Sequence, residues 1–310
     1  MRKRKRIKGT VWMIALLIML LILFMPNKQF IKQLKDRLDN YAMEQPGERF
    51  ETIDGDLHSQ NAILIRLKDD KILMEKHSEE VIFPASLTKI MTVLVAIENI
   101  PNLQKQILLP DSLFSDLYAA NASMAGFFPN EKVAAIDLLY GTMLPSGAEA
   151  SIGLANEIAG SEEAFVQLMN EKAEQLGMKD THFTNATGLH HQNHFSSVKD
   201  ISVLVKYALK NQTFRTIFTA ERHSTLPSNL HPDGITLRSS VFKNIDAANL
   251  INGGGVIGGK TGYTEQAGLC LASIAEIDGQ EYLLITAGAN GNHHTEQYNI
   301  TDAISVYKKL

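Results

Sequence analysis

The sequence predicts an α+β fold: one antiparallel sheet built from both ends of the chain, with helices on its faces and a helical subdomain, approximately residues 101–210, inserted between them. Three observations carry this. Strand character is confined to residues 61–75 and 268–289. Four stretches between them repeat their apolar residues at helical spacing. And 310 residues, 45% of them hydrophobic, suffice to bury one large core. Distant strands brought into a single sheet, with the helices looped out, is the economical arrangement.

Taken in order, residues 61–66 and 71–75 flank Asp69-Asp70 and read as a hairpin. Ile63, Ile65 and Leu67 share one face and Ala62 and Leu64 the other, so the first strand should be covered on both sides. Pro84 opens a helix through Ile90, Leu94 and Ile97 that stops before Pro101. Helices follow at 137–144, 149–159, 163–178 and 199–210. The third carries Phe165, Leu168, Met169, Ala173 and Leu176 on one stripe and ends at Gly177. Strands at 268–277 and 281–289 meet at the turn Asp278-Gly279, and a last helix runs over 295–310.

Ahead of this domain, assigned to residues 56–310, the chain has a different character. Arg2, Lys3, Arg4, Lys5, Arg6 and Lys8 supply 6 of the 30 basic residues and form a basic head over 1–8. The uncharged run from Val11 to Met25, extended by Gly9 and Thr10, just reaches the about 17–25 residues that span a bilayer. With no polar face, Trp12 at its basic end and no small-residue cleavage site after it, residues 9–25 read as an uncleaved transmembrane anchor. The positive flank puts the head in the cytoplasm and the rest outside, as a single-pass protein. Residues 26–55 read as a stalk.

The net charge of −4 gives no footprint for nucleic acid. The single cysteine, Cys270, excludes an internal disulfide framework and any multi-cysteine metal site; in a predicted core strand it reads as a small apolar residue. His190, His191 and His194 crowd together but lack an acidic co-ligand within the cluster, so no metal site and no cofactor are expected.

Ser-x-x-Lys occurs four times, at Ser86/Lys89, Ser196/Lys199, Ser240/Lys243 and Ser305/Lys308. Only Ser86 lies in the first turn of a helix opened by proline, where residues three apart share a face. A serine needs a base to become a nucleophile, and lysine serves only when neutral. Alone, the pattern fits a helix cap with a solvated lysine equally well. Gly258-Gly259-Lys260-Thr261-Gly262-Tyr263, placed at the start of a strand, offers a cation and a hydroxyl suited to a carboxylate; alone it is also an ordinary glycine-rich turn. Gly254-x-x-x-x-Gly259-Lys260-Thr261 matches a phosphate loop formally, but the strand before it and helix after it are missing. Pro145-Ser146-Gly147-Ala148 is a turn before a helix, where Ser146 could be a cap.

In this order, Ser-x-x-Lys, Ser-Gly-x and Lys-Thr-Gly form the signature set of penicillin-recognising serine enzymes. With Pro84-Ala85-Ser86-Leu87-Thr88-Lys89, residues 138–151, 165–173 and 181–189, and Gly259-Lys260-Thr261-Gly262-Tyr263-Thr264, the chain resembles the low-molecular-weight serine D-alanyl-D-alanine carboxypeptidases from about 61 to 289. The resemblance implies a β-lactamase/transpeptidase-like fold and a bacterial cell-membrane enzyme with its catalytic domain outside. Its implied substrates are peptidoglycan stem peptides ending in D-Ala-D-Ala, and its implied covalent inhibitors are β-lactams. It implies Ser86 as acylated nucleophile, Lys89 as base and Ser146 as proton relay to the leaving D-alanine. Lys260, Thr261, Gly262 and Tyr263 become the substrate-binding set, with Lys260 and Thr261 on the terminal carboxylate. The backbone N–H groups of Ser86 and Tyr263 become the oxyanion hole. Ala148 departs from the family's usual asparagine, and Glu149 beside it should point away if helical. A β-lactamase and a non-catalytic wall-binding protein are the alternatives; none of Glu162, Glu163, Glu171 and Glu174 suits a deacylating base.

Overall fold

The computed structural model describes residues 57–245 and 253–310. The head, anchor and stalk assigned to 1–8, 9–25 and 26–55 lie outside the described residues. Among those described, no helix is long and apolar enough to cross a membrane.

The chain opens with β1 (Asn61–Arg66) and β2 (Lys71–Lys76), then α1 (Thr88–Asn99), β3 (Gln106–Leu109), α2 (Phe114–Ala119) and β4 (Glu131–Ala134). Helices α3 (Ala135–Met143), α4 (Ala148–Ala159), α5 (Glu162–Leu176), α6 (Val198–Ala208) and α7 (Gln212–Phe218) follow. The chain then forms β5 (Arg222–Ser224), β6 (Thr236–Arg238), β7 (Gly254–Thr264), β8 (Gly268–Ile277), β9 (Gln280–Ala289) and α8 (Tyr298–Tyr307).

Five strands make one sheet in the order β2-β1-β9-β8-β7, antiparallel throughout. Ile285 of β9 stands opposite Ile63 of β1 and Ala272 of β8, which seams the two distant parts of the chain together. Residues in register point to the same face. Ile63, Ala272 and Ile285 therefore join the helical core, while Leu64, Ser273 and Leu284 turn to the other face. There α8 covers them, and the Tyr307 hydroxyl hydrogen-bonds Ser273. Burial on both faces explains the apolar residues on both sides of β1.

Local signals set the helix ends. Ser161 caps α5 by accepting from the Ala164 N–H, and Gly177 ends it at φ 74°. The first helix differs from its expectation: residues 85–87 form a 3-10 turn, and the α-helix begins only at Thr88. Helix α1 is buried from Thr88 through Ala96, as befits a helix enclosed by the helical layer and the sheet. The hairpins β3–β4 and β5–β6 and the short helices α2 and α7 were too brief for periodicity to reveal. Strand β7 corrects a further expectation. Lys260 and Thr261 lie within an 11-residue edge strand, not at its start, because pairing with β8 extends it back to Gly254.

Candidate active site

One wall of the cleft is the turn into α1. Ala85 sits at φ 46°, a left-handed conformation costly for any residue with a Cβ. Gly188 packs against it so closely that a Cβ there would lie 2.0 Å from the Ala85 carbonyl oxygen. This presents Ser86 at the mouth of the cleft with Lys89 beneath it. The Lys89 Nζ donates to Ser86 Oγ at 3.2 Å and to the Thr187 carbonyl at 2.5 Å. Lys89 is only 2% exposed, and burial pushes its pKa down to about 7 against the opposing charges of Glu149 and Glu162. A proton-accepting lysine is thus available near neutrality.

His194 supports this wall. Its Nδ1 accepts from the Thr184 N–H at 3.1 Å, so the proton resides on Nε2, which donates to Thr88 Oγ1 at 2.7 Å. Burial, helped by the neighbouring histidines, drives its pKa to about 3. Among the described residues no cluster of metal-ligating side chains occurs.

The second contribution is the turn before α4. Ser146 adopts φ 70°, is buried, and its Oγ has no protein partner. Ala148 donates its N–H to the Ser123 carbonyl and lines the cleft with Ser86 and Lys89. Glu149 is fully buried and does not point to solvent. Its Oε1 accepts from the N–H groups of Ala125 and Gly126 at 2.6 and 3.0 Å, and burial raises its pKa.

Strand β7 forms the opposite wall. Gly262 approaches the nucleophile turn so tightly that a Cβ would stand 3.1 Å from the Ser86 nitrogen. Thr261 Oγ1 shares a 2.6 Å hydrogen bond with Ser240 Oγ, and the Tyr263 ring meets His293 edge-on at 4.8 Å. Lys260 is 0% exposed; its Nζ donates to the Thr261 carbonyl at 2.8 Å. Burial first, and Lys89 second, hold its pKa well below the ordinary lysine value.

The cleft divides at Ser86. One half, about 340 Å³, is lined by Ser146, Ser240, Lys243, Thr261 and Gly262; the other, about 500 Å³, by Lys89, Asn121, Ala148, Gly188 and Thr264. Ser86, Ser123, Tyr263 and His293 belong to both.

Residues 39–291 match the family described as D-alanyl-D-alanine carboxypeptidase. The chain belongs to that family. It is 34% identical over 235 residues to the D-alanyl-D-alanine carboxypeptidase DacF of Bacillus subtilis, covering 75% of this chain and 58% of the relative. It is 32% identical over 204 residues to the D-alanyl-D-alanine carboxypeptidase of Streptomyces sp. strain K15, covering 63% and 68%. It spans 58% and 56% of the lengths of DacF and of Escherichia coli DacC. The fold is that of the Streptomyces K15 DD-transpeptidase, with a TM-score of 0.72 at 24% identity over 82% of this chain and 98% of that one. That fold is β-lactamase-like, with an antiparallel sheet flanked by helices.

Within this D-alanyl-D-alanine carboxypeptidase scaffold, Ser86, Lys89, Ser146, Thr261, Gly262 and Tyr263 line the two halves of one cleft. Lys260 is fully buried; its register with Ala272 puts it on the face of β7 toward the helical core, within the field of Lys89. The sequence reading missed three residues that line the cleft: Ser240, Lys243 and His293. A signal existed for Ser240 and Lys243, which form the third Ser-x-x-Lys pattern, but spacing alone could not show that it faces the first. Ser196 and Ser305 line neither half of the cleft, and Ser196 is fully buried.

Proposed function

We propose that this chain is a membrane-anchored serine D,D-carboxypeptidase that removes the terminal D-alanine from peptidoglycan stem peptides through an acyl-enzyme on Ser86. The observation that carries the proposal is a buried lysine, poised to be neutral, 3.2 Å from a serine hydroxyl at the centre of a two-sided cleft. The apolar run over 9–25 behind a basic head supports attachment to the cell membrane with the domain outside.

In this reading the peptide lies along the free edge of β7. Neutral Lys89 takes the Ser86 proton as Oγ attacks the carbonyl carbon of the penultimate D-alanine. The backbone N–H groups of Ser86 and Tyr263 hold the oxyanion. Ser146, whose hydroxyl has no other partner, passes a proton to the departing amine, and D-alanine leaves. Water then hydrolyses the ester and restores Ser86 and Lys89. Lys260 and Thr261 hold the terminal carboxylate; in the free protein the Lys260 Nζ donates to the Thr261 carbonyl. β-Lactams would acylate the same serine.

Intact-protein mass spectrometry with a β-lactam, and separately with a D-Ala-D-Ala peptide, tests this. The expected results are one adduct on Ser86, abolished by Ser86→Ala, and release of D-alanine. An adduct on Ser196, Ser240 or Ser305 would sink the assignment. Rapid loss of the drug adduct would favour a β-lactamase, and peptide binding without D-alanine release a non-catalytic wall-binding protein.

A further inference from the structure

Glu149 takes no part in the chemistry above, yet it is a fully buried carboxylate close in the chain to Ser146. Taking a carboxylate out of water is costly unless hydrogen bonds compensate it. Here one oxygen receives them. Glu149 Oε1 accepts from the N–H groups of Ala125, Gly126 and Phe127 at 2.6, 3.0 and 3.4 Å, while Oε2 has no partner. The three donors belong to a strap, residues 121–127, whose Ser123 lines both halves of the cleft. Neighbours of Glu149 rest on the same strap. The Ala148 N–H donates to the Ser123 carbonyl at 2.8 Å, and a Cβ on Gly147 would stand 2.6 Å from that of Ala125. The residue just before these three is Ser146, at φ 70°. A serine in the left-handed region persists only where its surroundings hold it. Its hydroxyl has no protein partner, so the placement of the turn decides where that hydroxyl sits.

We infer that Glu149 is a positioning residue: its carboxylate clamps the 121–127 strap against the Ser146 turn and so sets the place of the Ser146 hydroxyl in the cleft. This rests on the peptidase reading and deepens it, because the proton relay then depends on a residue outside the signature motifs. Three directed N–H groups on one charged oxygen define a position, and charge-assisted hydrogen bonds are the stronger kind. The unpartnered Oε2 lets glutamine stand in. Its carbonyl can take the Oε1 place and its amide the Oε2 place, where no bond is lost. Alanine suits the helix and removes the clamp.

The test is a double-mutant cycle between Glu149 and Ser146 on the full chain, read as D-alanine release from an acyl-D-Ala-D-Ala peptide. Glu149→Ala should lower kcat roughly 10- to 100-fold with little change in KM, the cost of a misplaced catalytic group. Glu149→Gln should stay within about threefold of the wild type, since a neutral acceptor holds the same N–H groups more weakly. In a Ser146→Ala background neither substitution should lower kcat further, because the group they position is gone. Losses that add in full to that of Ser146→Ala would overturn the inference, as would a Glu149→Ala variant that melts like the wild type and keeps its kcat. Should Glu149→Ala not fold, the Glu149→Gln cycle decides by the same rule. Acylation of Ser86 by a penicillin runs the cycle without D-alanine release, because the breaking ring C–N bond needs a proton too. A wild type that acylates but turns over no peptide would discard the peptidase reading and leave the cycle to judge Glu149. A wild type that does neither would discard both.

Discussion

The two walls of the cleft carry one buried lysine each, and they use it in opposite ways. On the helical wall Lys89 reaches the nucleophile directly, and only two groups, Ser86 and Thr187, hold its amine. On the strand wall Lys260 donates to the carbonyl of its neighbour. Both are stripped of water, so both lose their usual preference for the charged form. The difference is geometric. Three residues along a helical turn return to the same face, whereas adjacent residues on a strand face opposite ways. Thr261 and Lys260 therefore look to opposite faces of β7, Lys260 to that of the helical core.

The largest effect should come from the helical wall. Lys89→Met is expected to lower kcat for D-alanine release by roughly 10²- to 10⁴-fold, the range lost with a general base. The wild-type pH profile sharpens the same point. Lys89 accepts a proton only when neutral, and its pKa sits at about 7. Below that pH, kcat/KM should fall roughly tenfold per unit, and above it form a plateau. A profile flat down to pH 5 would remove Lys89 from the role of base.

An intermediate effect should separate positions along the strand wall. Gly262→Val presses a side chain against the Ser86 nitrogen and should cost roughly tenfold or more in acylation rate by moving β7 off the turn. Gly255→Ala on the same strand meets open space and should change nothing measurable. Comparable losses in the two variants would show that β7 works as a whole rather than through its contact with Ser86.

The smallest effect concerns Ala148, where the helical wall lacks the usual amide. Ala148→Asn should raise kcat/KM roughly two- to twelve-fold, the worth of about 0.5–1.5 kcal/mol from one neutral hydrogen bond. The side chain would enter the half of the cleft that Ala148 already lines. An asparagine variant that melts normally but gains nothing would show that this site does not miss the amide.

What the sequence disclosed follows the same division. Ser86, Lys89 and Ser146 were legible because their geometry is local: a proline-led turn, a three-residue spacing, a turn before a helix. The two-ended sheet was legible from where β-rich segments fall. Strand β7 was half hidden, since Gly254, Gly255, Gly258, Gly259 and Gly262 weaken its intrinsic preference and pairing with β8 imposes its shape. The partners of Glu149 could not be read, because they are backbone N–H groups at 125–127, distant in sequence. Ser240 and Lys243 were set aside for the same reason; only the folded chain brings them opposite Ser86.

Ser59 and Asp302, 243 positions apart, are locked by hydrogen bonds of 2.7 and 2.6 Å, alongside the β1–β9 seam. A seam of such long range cannot form until the C-terminal strands have been synthesised, so the sheet closes late. Until it does, the β7–β8 hairpin can pair locally but Ser86 has no opposite wall. A nascent chain therefore carries Ser86 without the strand wall that completes its cleft. Timed pulse labelling with a fluorescent penicillin during refolding should accordingly lag the recovery of helical signal.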